Sequence, residues 1–119
     1  MFVGIDVSKD RLDVHVNPGG VAWSVANDDD GHRELASRLA ELNPTLVVTE
    51  ATGGYESQAG AELAAHDVPV AGVNPRQVRD FAKAMGRLAK TDAMGACVLA
   101  LFAEAVKPKA RPPRDEATQ

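Results

Sequence analysis

The chain has 119 residues, 45% of them hydrophobic and 25% charged, which is enough for one domain with a real core and too apolar for a disordered protein. No apolar run approaches the ~20 residues of a membrane span, and the start lacks the basic segment of a secretory signal, so no membrane partner is expected and the cytoplasm, close to the nucleoid, is the expected location. The net charge of −4 hides an uneven split: residues 1–73 carry 4 basic and 12 acidic groups, residues 74–119 carry 9 and 5, as suits a polyanion held by the second half beside cations held by the first.

The first three elements are Val-rich runs of strand length, FVGIDV, RLDVHVN and VAWSVAN. The turns SKD and PGG separate them, the second a hairpin signal because glycine accepts positive φ. Three antiparallel strands are therefore predicted. The triplet Asp28, Asp29 and Asp30 then caps HRELASRLAELN, where Leu35, Leu39 and Leu42 recur at helical spacing, and Asn43 and Pro44 end that helix. TLVVTE has the unbroken apolar character of a strand covered on both faces. Gly53 and Gly54 form a tight turn before a helix over Glu56 to His66, followed by the strand VPVAGV. Asn74 and Pro75 are a helix start, and a last helix is expected from about Asp92 to Val106. The domain is read as residues 1–106, with 107–119 a polar, proline-containing and disordered linker to a C-terminal domain absent from this chain.

Two carboxylates stand out. Asp6 lies at the inner end of one buried-strand pattern and Glu50 at the end of another, where an unpaired carboxylate costs several kcal/mol unless it is protonated, paired or bound to a metal. The element order βββαβαβαα predicts an α/β fold with a mixed five-stranded sheet, three antiparallel strands then two parallel, and helices on both faces. In that arrangement the first and fourth strands are parallel neighbours and bring Asp6 beside Glu50. This is the ribonuclease H-like architecture.

GIDVSKDRLDVHV, EATGGYE and GRLAKTDA together resemble the N-terminal RuvC-like domain of the DEDD-type insertion-sequence transposases, whose longer members are RNA-guided, serine-containing recombinases. The resemblance implies that Asp6, Glu50 and Asp92 are catalytic metal ligands for Mg2+ or Mn2+, and that the full protein cleaves and exchanges DNA strands by metal-dependent chemistry. It implies DNA and a guide RNA as partners and an assembly of several copies. The family's fourth acid falls on Gly95, and the serine-bearing C-terminal domain is absent, so this chain is expected to be impaired or inactive alone. Neither Asp80 nor Glu104 has a spacing that replaces the missing acid.

The basic half supplies a phosphate-binding candidate. Arg76, Arg79, Lys83, Arg87 and Lys90 recur at intervals of 3 or 4, which aligns them on one face of a continuous helix, with Gly86 as a break point and Val78, Ala82, Met85 and Ala89 turned to the core. Cys97 reads as a small core residue, and His15, His32 and His66 have no zinc spacing. Two other functions fit the pattern less well. An actin-like or sugar-kinase-type ATP-binding domain shares the sheet order, but here Val7 and Ser8 follow Asp6 where a phosphate loop needs glycine. A catalytically inert nucleic-acid-binding or assembly module would account for Gly95.

Overall fold

The computed structural model describes residues 1–51, 53–86 and 95–110. The strands are β1 (Phe2–Val7), β2 (Arg11–Asn17), β3 (Val21–Ala26), β4 (Leu46–Glu50) and β5 (Val70–Val73); the helices are α1 (Asp29–Leu42), α2 (Ser57–Ala65), α3 (Pro75–Ala84) and α4 (Ala96–Val106). They form one mixed sheet in the order β3-β2-β1-β4-β5. β1, β2 and β3 pair antiparallel through two hairpins, whereas β1, β4 and β5 run parallel, each link crossing over through a helix. The expected α/β architecture is the observed one.

Alternation along the strands divides the core in two. Val3, Ile5 and Val7 of β1 and Leu12, Val14 and Val16 of β2 pack with Leu35, Leu39 and Leu63 under α1 and α2. Leu46 and Val48 of β4 turn the other way, toward Val78 and Ala82 of α3 and Val98, Leu99 and Phe102 of α4. α1 and α3 start where the sequence offers a side-chain partner for free backbone N–H groups. Asp28 caps α1 by accepting from the Gly31 N–H at 2.7 Å, and Asn43 ends it in the left-handed conformation at φ 51°. Asn74 caps α3 by accepting from the Arg76 N–H at 2.7 Å.

Gly4 fixes how closely α4 lies on the sheet. A Cβ there would stand 2.2 Å from the Ala96 carbonyl oxygen and 2.4 Å from the Ala100 nitrogen, so only glycine lets the helix backbone cross β1 at this point. That crossing sets the first turn of α4 over the end of β1.

The start of α4 and the burial of Met85 and Cys97 differ from expectation, whereas the break at Gly86 is the expected one. α4 begins at Ala96 with Gly95 as its N-cap, so Gly95 is not inside a helix begun at Asp92; Asp92 itself lies outside the described residues. α3 ends at Ala84, and Gly86 follows at φ +72°, a conformation that L side chains rarely adopt. Met85, expected in the core, is 55% exposed beyond the last turn. Cys97 is only half-buried. Among the described residues no helix is long and apolar enough to cross a membrane.

Candidate metal and nucleic-acid site

The site lies where β1 and β4 end. Their parallel ladder closes with Ile5 opposite Thr49, so Asp6 and Glu50 follow side by side as the next residue of each strand. Ile5 and Thr49 turn toward α1 and α2; the period of two sends both carboxylates to the other face, under α3 and α4. Neighbouring strands are about 4.8 Å apart, a spacing that lets two carboxylates serve one ion. Asp6, Glu50, Pro75, Val78, Arg79, Gly95 and Leu99 line a common cleft of about 210 Å³.

Both carboxyls of the cleft are raised by their surroundings. Burial, and then the charge of Asp13, raises the Asp6 carboxyl above the ordinary carboxylate range, with Arg11 acting against the rise. Burial, and then Asp6, likewise raises Glu50, with Arg79 opposing. Neither carboxylate has a salt bridge to a described residue. Two half-buried carboxylates side by side, without a salt bridge to a described residue and with the charge of Asp6 raising Glu50, are groups that could hold a divalent cation. Hard oxygen donors of this kind in general suit magnesium or manganese better than zinc. Among the described residues, no three His, Cys, Asp or Glu side chains converge into a complete cage.

Asp13 was not singled out by sequence, yet it stands directly opposite Asp6 in the β1–β2 ladder. Its Oδ1 is already engaged, by Arg11 Nε at 3.2 Å and by the Ser24 hydroxyl, which donates to it. Asp13 therefore shapes the field at Asp6 with one of its oxygens tied to its own strand pair. The signal was available in the hairpin: closing SKD with Val7 opposite Leu12 puts Asp6 opposite Asp13.

Behind the cleft, Asn27 ties the surrounding loops together. Its side-chain amide donates to the Ser8 carbonyl at 2.8 Å and to the Tyr55 carbonyl at 3.2 Å, and its Oδ1 accepts from Nε2 of the buried His32 at 2.6 Å. The turn after Glu50 is thereby pinned to the turn after Asp6. Gly53 and Gly54 take φ of 83° and 119° to make that turn, as expected of the glycine pair.

The sequence-predicted residues separate into three groups. Asp6, Glu50 and Gly95 meet in the cleft, and Arg79 of the basic stripe lines it with them. Arg76 and Lys83 lie on the exposed side of α3, outside the cleft. Asp92, Arg87 and Lys90 lie outside the described residues, while Asp80 and Glu104 are exposed and do not line the site.

A mixed five-stranded sheet of this order, flanked by helices on both faces with acids at the ends of the two central parallel strands, defines the ribonuclease H-like class. Consistent with this, the chain resembles a solved structure of RuvC from T. thermophilus in complex with a Holliday junction substrate, with a TM-score of 0.52, 14% identity, and coverage of 95% of this chain and 100% of that one. No curated protein matches it. The sequence matches the DEDD-type IS110 transposase model over residues 3–119, and the chain belongs to that transposase family.

Proposed function

We propose that this chain is the metal-dependent, strand-cleaving domain of a DNA transposase, with Asp6 and Glu50 holding Mg2+ or Mn2+ together with Asp92. The observation that carries the reading is the adjacent register of Asp6 and Glu50, half-buried and without a salt bridge to a described residue, at the ends of β1 and β4. A bound divalent cation supplies Lewis-acid stabilisation of charge at a phosphodiester and favours an ionised nucleophile. The chain's own residues do the rest. Asp6 and Glu50 hold their oxygens on one face of a rigid sheet, and Leu99 and Val78 wall the cleft with apolar surface that limits water. Arg76 and Lys83 present positive charge beside the cleft and bind a nucleic-acid backbone without reading its sequence. The partner is DNA, branched DNA of the kind held by RuvC being one form, and guide RNA and an assembly of several copies complete the same reading.

Membership of the transposase family favours this reading over the ATP-binding alternative. One observation favours an inert assembly module instead: Gly95, which occupies the family's fourth acidic position, forms part of the cleft wall and brings no ligand. Calorimetric titration with Mn2+ tests the proposal. Wild type should bind with a heat that Asp6→Asn abolishes; a heat unaffected by that substitution would place any metal elsewhere.

A further inference from the structure

Arg79 is unlike the other cations of α3. Arg76 and Lys83 share its stripe, but of the three only Arg79 lines the cleft that holds Asp6 and Glu50. Its place follows from helical geometry. It adjoins Val78 and stands one turn before Ala82, both fully buried, so it sits at the seam where the core-facing side of α3 meets the basic side. The side chain is exposed and has no ion pair with a described residue. Its charge nevertheless stands in the same cleft as the Glu50 and Asp6 carboxylates.

We propose that Arg79 is an exchangeable counter-ion: it balances Glu50 in the metal-free cleft and turns to clamp the reacting phosphodiester when a divalent cation takes that carboxylate. This rests on the metal reading above. A guanidinium suits both tasks, because its planar fork matches carboxylate and phosphate alike, and it stays charged throughout. A cation between Asp6 and Glu50 repels the Arg79 charge from the cleft they share. A backbone phosphate lying along Arg76 and Lys83 gives it a new partner at the cleft mouth. Positive charge thus remains in the cleft in both states, and metal binding and phosphate binding become coupled through one side chain.

The test uses the whole chain, with Mn2+ titrated by calorimetry and binding of a short DNA duplex measured with and without Ca2+, a hard cation that takes the same oxygen ligands. Arg79→Ala should tighten Mn2+ binding roughly three- to tenfold by removing a nearby positive charge. It should also abolish the gain in DNA affinity that Ca2+ gives wild type. Arg79→Lys should keep Mn2+ affinity within about twofold of wild type, since the charge is retained. Arg76→Ala and Lys83→Ala should weaken DNA binding by the same factor with and without Ca2+, as plain backbone contacts do. Arg79→Gln, compared by circular dichroism, replaces the alanine variant if that one fails to fold. Unchanged Mn2+ affinity in the neutral variants, or a DNA loss that ignores Ca2+, would overturn the proposal and return Arg79 to the surface stripe. Wild type that shows no Asp6-dependent Mn2+ binding would instead sink the metal reading itself, and the proposal with it, an outcome recognised without any Arg79 variant.

Discussion

Gly95 faces Asp6 so closely that a Cβ on it would lie 2.5 Å from the carboxylate Oδ2 and 3.3 Å from the Asp6 Cβ. A side chain at 95 therefore enters the cleft directly, from the N-cap of α4 and not from within a helix. Gly95→Asp should lower thermal stability in EDTA, by about 1–3 kcal/mol for crowding alone, with like-charge repulsion added. Mn2+ should reverse that loss, because a further carboxylate then becomes a ligand and binding to the folded state stabilises by mass action. Gly95→Ala is the control, destabilised by crowding without the metal-dependent recovery. Thermal denaturation of all three with and without Mn2+ decides it, and equal recovery in the two variants would show that position 95 adds no ligand.

Both cleft carboxyls are raised on folding, Asp6 by burial and then Asp13, Glu50 by burial and then Asp6. A raised carboxyl binds its proton more tightly when folded than when unfolded, so its contribution is most favourable below the ordinary carboxylate range. Stability from these groups then falls as pH rises from that range through the raised values. Asp6→Asn should consequently match wild type in acid and exceed it in melting temperature at neutral pH, both in EDTA. A melting-temperature difference constant across pH would mean that Asp6 is not strained by its surroundings.

Gly4→Ala tests how α4 is seated. The added methyl meets the Ala96 carbonyl oxygen, the Ala100 nitrogen and the Leu99 Cβ, two of them backbone atoms that cannot rotate aside. The variant should lose about 2–3 kcal/mol by denaturant unfolding. Its Mn2+ affinity should fall as well, since Gly95 and Leu99 of the displaced helix wall the cleft. A stable variant with wild-type metal affinity would contradict the close crossing of α4 over β1.

Much of this arrangement was legible in the sequence because local rules agreed. The glycine-rich turns, the Asp28 and Asn74 caps and the period-two strands each pointed to the observed sheet, and two strand patterns ending in acids placed Asp6 beside Glu50. What escaped was set by tertiary contact. The role of Gly4 depends on a helix some 90 residues later in the chain, where α4 begins at Ala96. Arg79 could not be told from Arg76 and Lys83 by spacing, because the seam between the core and basic sides of α3 is fixed by what packs beneath Val78 and Ala82. The start of α4 was misplaced because Asp92 reads as a helix-starting residue, whereas the N-cap of α4 is Gly95, whose side chain offers no capping group to signal it.

The central claim is that Asp6 and Glu50 together hold a divalent cation. The most direct measurement is a crystal of the chain soaked in Mn2+, with anomalous scattering used to locate the ion. An anomalous peak is expected between the two carboxylates, within about 2.0–2.6 Å of an oxygen from each, as hard cations bind. A peak elsewhere, or none in the cleft at a concentration that saturates the calorimetric titration, would contradict it.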